Sequence, residues 1–117
     1  MEIMTNADLE KIATTLLART QAKEIEWRDS PESAEYVVRT PAFSYYLKSR
    51  DEDDLSPYRF QIYKRNDVGS SPKLYEYVTN SEDRAVASAF GFLYNAAKLN
   101  ALGIDSLKDD VMKDLGL

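Results

Sequence analysis

The sequence predicts an α+β fold: an antiparallel meander of about five strands, with one N-terminal and two C-terminal helices packed mainly on one face. Three observations carry this. Apolar residues recur at helical spacing near both ends of the chain but alternate with polar ones through its middle. Short stretches rich in Pro, Ser, Asn, Asp and Gly separate the alternating segments, a connection length that suits hairpins rather than parallel crossovers. Strand-like segments are grouped together and helix-like segments flank them, an order in which helices cover one face of a sheet. At 117 residues, a single domain over 1–117 is expected. Its 44% hydrophobic and 30% charged residues are the composition of a folded chain.

The first helix opens at Thr5 or Asn6, whose short side chains accept from unpaired amides of the first turn; Asp8 and Glu10 suit its positive end. Leu9, Ile12, Ala13, Leu16 and Leu17 then form one apolar stripe, and the helix frays near Thr20–Lys23. Ile25 and Trp27 alternate with Glu24, Glu26 and Arg28 as a first strand. After turn chemistry at Asp29–Ser33, a second strand runs from Ala34 to Thr40, with Tyr36 and Val38 on one side. Pro41 marks a break or an edge, because it cannot donate to a ladder. Phe43, Tyr45 and Leu47 alternate with Ser44, Tyr46 and Lys48. Beyond the charged loop Arg50–Pro57, Tyr58, Phe60 and Ile62 alternate with Arg59, Gln61 and Tyr63.

The turn Asn66–Pro72 leads into a short last strand, Leu74–Val78, whose phase has two solutions. Glu76 favours burying Tyr75 and Tyr77, whereas continuity with the other strands favours burying Leu74. Asn80 or Ser81 caps the main helix, with Glu82 and Asp83 in its first turn. Val86, Ala89, Phe90, Leu93, Ala97 and Leu102 make its apolar face, widened by Ala85, Phe92, Ala96 and Leu99. Gly91 is read as permitting close packing. Gly103 ends the helix in a left-handed cap with Ile104 packing back. Asp105 caps a final short helix bearing Leu107, Val111 and Leu115. The helix leading into Ile25-x-Trp27, the Tyr/Phe meander and the tail Leu93–Leu107 resemble small uncharacterised microbial α+β proteins. That resemblance implies the fold and a microbial origin, and it brings no active site.

Strand alternation points to one surface. If Ile25, Trp27, Tyr36, Val38, Phe43, Tyr45, Leu47, Tyr58, Phe60 and Ile62 face the helices, the opposite face carries Arg28, Arg39, Lys48, Arg59 and Arg65 among Tyr46 and Tyr63. Lys73, Tyr75 and Tyr77 join them if Leu74 is inside. Glu24, Glu26 and Glu35 are the acidic residues expected there. This concentration of positive charge stands out in a chain of net charge −5. Arg and Tyr bury area while keeping hydrogen-bond capacity, and both are enriched at binding hot spots. The expected partner-binding residues are Arg39, Tyr46, Arg59, Tyr63 and Arg65. The competing reading is a solvated face on which Arg and Lys pair with Glu across strands.

Several chemistries are disfavoured. The chain has no Cys and no His, which removes thiolate sites, disulfides, and the usual metal ligand and neutral-pH base. Asp51–Asp54 fails as a calcium loop, since Ser56 stands where the turn glycine belongs and Ile62 where the bidentate Glu belongs; a solvated loop is expected. The acids of the final helix read as a solvent face. Gly69–Lys73 lacks the spacing of a phosphate loop. No secretory signal opens the chain, and Ala85–Ala97 is too short to span a bilayer. The sequence therefore predicts a cytoplasmic, non-enzymatic interaction module of adaptor or inhibitor type, without cofactor or metal. It would bind a protein partner or form a homo-oligomer. A binder of a small anionic ligand such as a nucleotide is the alternative; an enzyme, a nucleic-acid binder or a nucleic-acid mimic is less favoured.

Overall fold

A computed structural model describes residues 3–66 and 71–117 of the chain. Helix α1 (Asn6–Gln21) starts at Thr5, whose hydroxyl accepts from the Asp8 amide while the Asp8 carboxylate accepts from the Thr5 amide. This reciprocal box satisfies two of the amides a helix start leaves unpaired, and those bonds hold the Asp8 carboxyl below its usual value. Five strands follow: β1 (Trp27–Asp29), β2 (Glu35–Arg39), β3 (Phe43–Ser49), β4 (Tyr58–Lys64) and β5 (Lys73–Val78). They form one sheet in the order β1-β2-β3-β4-β5, every neighbouring pair antiparallel. Helices α2 (Arg84–Ala101) and α3 (Leu107–Asp114) complete the chain. This is the expected α+β meander. Of the turn Asn66–Pro72, residues 67–70 lie outside the described residues, as do Met1 and Glu2.

One face of the sheet builds the core. Trp27, Tyr36, Val38, Leu47, Tyr58, Phe60 and Ile62 are buried against Val86, Ala89, Phe90, Leu93, Tyr94 and Ala97 of α2 and Leu9, Ala13 and Leu16 of α1. Helix α2 lies on the sheet, and α1 packs chiefly on α2. Polar anchors tie the layers together. The Trp27 indole N–H donates to the Thr20 hydroxyl at 2.9 Å, which donates onward to the Leu16 carbonyl at 2.7 Å. The Trp27 amide donates to Asn100 Oδ1 at 2.7 Å.

Several local expectations shift. The first strand begins at Trp27, so Ile25 lies outside it. In β5 the phase with Tyr75 and Tyr77 against the core wins, and Leu74 is exposed. A register shift between Ile62 and Tyr63 still leaves Lys73 opposite Tyr63 on the other face. The α2 cap is Asp83, which accepts from the Val86 amide; Asn80 Oδ1 instead accepts from the Glu82 and Asp83 amides in a turn. Gly103 has φ +72°, with its amide on the Asn100 carbonyl and the Ile104 amide on that of Leu99, a Schellman closure. Ser106, not Asp105, precedes α3, and the Asp105 carboxylate accepts from Asn100 instead. The apolar face expected for α2 is wrong at Leu102, and its widening is wrong at Ala85, at Phe92, 67% exposed, and at Leu99; Tyr94 is buried instead. Phe43, at the strand end, is 36% exposed. A Cβ at Gly91 would meet Tyr58 Cε2 at 3.5 Å, ordinary contact, so packing does not demand glycine. Among the described residues no helix is long and apolar enough to cross a membrane.

Candidate interaction face

The sheet face turned away from the helices is ordered by strand register into three rows. Glu35, Lys48, Arg59 and Val78 stand side by side across β2–β5. Arg28, Val37, Tyr46, Gln61 and Glu76 form the middle row. Arg39, Ser44, Tyr63 and Lys73 form the third. Side chains on one row are about 5 Å apart, close enough to pair.

The first row neutralises itself. Arg59 Nη2 donates to Glu32 Oε2 at 2.7 Å and to Glu35 Oε2 at 2.9 Å. Glu35 is only 4% exposed, and its other oxygen accepts from the Ser30 hydroxyl. Lys48 Nζ stands 3.7 Å from Glu32 and 3.6 Å from Glu52. Burial opposes the charge on Arg59, but its bonds to Glu35 and Glu32 outweigh that and hold its pKa above the usual value. The Arg59 bond holds the Glu32 carboxyl below its usual range. Glu32 and Glu52 arrive from loops, so no strand alternation places them; both lay beyond the reach of the sequence reading. In the middle row, Glu76 Oε1 accepts from Gln61 at 2.6 Å and from Lys73 of the third row at 3.2 Å; both bonds lower the Glu76 pKa, the Gln61 bond most.

The third row is different. Arg39, Tyr46, Tyr63 and Arg65, four of the five residues expected to bind a partner, line one recess of about 330 Å³, completed by Ser44, Asn66 and Ser71. Among the described residues no carboxylate lines it. The Tyr46 and Tyr63 rings meet edge to face with centroids 5.0 Å apart. Arg65 is steadied by a 3.0 Å bond from Nη1 to the Thr40 carbonyl, which holds the side chain without cancelling its charge. Arg39 makes no ion pair among the described residues. A second hollow of about 780 Å³ shares Arg39 and Tyr46 and runs on past Val37, Arg28 and Ile25, with Glu24, Glu26 and Asp29 also on its walls. The fifth expected residue, Arg59, sits on the first row, held by Glu32 and Glu35 rather than presented to solvent.

The acidic loop is exposed, as expected, and two of its side chains also bond to the fold. Asp53 Oδ1 accepts from the Ser49 hydroxyl and the Leu55 amide. Asp54 accepts from the Tyr94 hydroxyl at 2.6 Å and from Lys98 Nζ at 2.8 Å, tying the loop to α2. The Lys98 bond, then the Tyr94 bond, lowers the Asp54 pKa, while burial and Asp54 push the Tyr94 hydroxyl up. Tyr94 stands four residues after Phe90, so helical spacing carried a signal for it. The Gly69–Lys73 turn falls partly on residues outside those described. No known protein family, curated protein or solved structure matches the chain.

Proposed function

We propose that the protein is a cytoplasmic, non-enzymatic interaction module that holds an acidic segment of a protein partner in the Arg39–Tyr46–Tyr63–Arg65 recess. One observation carries this reading: two guanidinium groups and two edge-to-face rings converge on a hollow that no carboxylate lines among the described residues. Guanidinium forks match carboxylate geometry, and the tyrosine rings supply rigid area at little entropic cost. The adjoining larger hollow gives an extended segment room to continue.

A small anionic ligand is the second reading, because about 330 Å³ falls at the lower end of ligand pockets, roughly 300–1,000 Å³. Both are tested together with the paired substitution Arg39→Glu and Tyr63→Ala. A labelled peptide rich in Glu and Asp, followed by anisotropy, binds the wild type in a salt-dependent manner and loses affinity at least tenfold in the variant. Undiminished binding by the variant refutes the recess as the site. ATP that raises the melting temperature of the wild type alone, with no peptide binding, replaces the interaction reading with the small-ligand one.

A further inference from the structure

Beside α1 the helix layer leaves the sheet uncovered. Met4, Ile12 and Leu16 on one side and Pro41 and Tyr45 on the other bound a mainly apolar groove of about 680 Å³. Met4, Ile12 and Tyr45 remain only partly buried although they pack on the core. Lys11 and Arg19 stand on its rim, exposed and without ion pairs among the described residues. The groove also touches Asp8, whose carboxylate is already engaged by Thr5.

The same chain carries a helix that fits this description in reverse. No residue of α3 is buried. Leu107, Val111 and Leu115 follow one another four residues apart on one stripe, all exposed. At roughly 100° per residue, Asp110 and Asp114 fall on one flank of that stripe. The start of α3 is held at the C-terminal end of α1, where Asp105 meets Lys23 at 3.9 Å. The radius of gyration, 15.2 Å, exceeds the ~13 Å of a compact chain this long.

We propose that α3 docks in the α1 groove of a second copy of the chain, Leu107, Val111 and Leu115 inward, with Asp110 and Asp114 against Lys11 and Arg19. An amphipathic helix laid in an apolar groove is a recurrent recognition mode, and here both the apolar stripe and the charged flank find their complements on one molecule. A single two-turn helix falls short of the roughly 1,200–2,000 Å² that a stable interface buries. Exchange of both α3 helices about a two-fold axis doubles the contact and closes the assembly as a dimer. This interface uses none of the residues of the sheet recess and stands independently of that reading.

Sedimentation equilibrium on the full chain tests it, over concentrations up to roughly 1 mM, the range of a marginal contact. The wild type is expected to dimerise reversibly. Val111→Asp is expected to weaken the dimer at least tenfold. Lys11→Glu with Arg19→Glu, all at exposed positions and checked for an unchanged circular dichroism spectrum, does the same. Adding Asp110→Lys and Asp114→Lys to that pair restores association. A wild type that stays monomeric throughout overturns the proposal, and so does a dimer indifferent to these substitutions. Monomers in which α3 folds back on its own α1 overturn it equally.

Discussion

Arg59 and Arg39 have the same side chain on the same sheet face, but their neighbours make them unequal. Arg59 compensates Glu35, a carboxylate almost wholly removed from water. Its loss strands that charge, and Arg59→Ala is expected to cost about 2–3 kcal/mol in urea unfolding, somewhat below the value for a fully buried pair because the arginine keeps some exposure. Arg39→Ala is expected to stay within about 0.5 kcal/mol, as an exposed arginine with no ion pair among the described residues should. Equal effects of the two would contradict the division of the face into a neutralised row and an available one. Thr20 offers a second contrast. It accepts the Trp27 indole proton inside the core, so Thr20→Val, nearly isosteric, leaves that donor unpaired and should cost about 1–3 kcal/mol.

At the scale of elements, α2 carries an avoidable weakness. Gly91 lies in its interior, and among the described residues a methyl group there would touch only the Tyr58 side chain, at ordinary contact distance. Gly91→Ala should stabilise the protein by about 0.5–1 kcal/mol through reduced freedom of the unfolded chain; a loss measured in denaturant melts would mean that Tyr58 cannot yield. The helix α3 is the opposite case. It contributes no buried residue, so a chain ending at Ser106, which keeps Ile104 and Asp105, should unfold within about 0.5 kcal/mol of the full chain, when both are compared at dilutions that keep them monomeric. Strands β2 to β4 owe their faces to strict alternation, whereas β5 needed a register shift to keep Lys73 on the open face and the tyrosines on the core.

The whole molecule should be sensitive to acid. Asp54, Glu32 and Glu76 all have folded-state pKa values lowered from ordinary values of 3.8 for the aspartate and 4.5 for the glutamates. A depressed carboxylate binds its proton more readily when unfolded. Its stabilisation is therefore complete above the ordinary value and is lost as pH falls through the lowered one. Urea midpoints should stay level from neutrality to about pH 5 and fall below about pH 4. Asp54→Asn should flatten part of that fall, because it removes the carboxylate that joins the acidic loop to Tyr94 and Lys98. An acid limb as steep in the variant as in the wild type would show that this tether contributes nothing. High salt should blunt the exposed pairs more than the Arg59–Glu35 pair.

Periodicity is a property of the chain alone, and so the elements, their order, the meander and most of the core could be read from it. The alternation of Tyr58, Phe60 and Ile62 with Arg59, Gln61 and Tyr63 placed each residue on its observed face. Four members of the candidate recess were legible for the same reason. What alternation does not carry is the position of loops. Glu32 and Glu52 cross to Lys48 and Arg59 only because the turns before β2 and after β3 fold over that face, and this decides which arginines keep an unmet charge among the described residues. The exposure of Phe92 and α3 likewise depends on which stripe of a helix finds a neighbour. Local spacing sets a direction for each side chain; only the assembled layers set what stands opposite it.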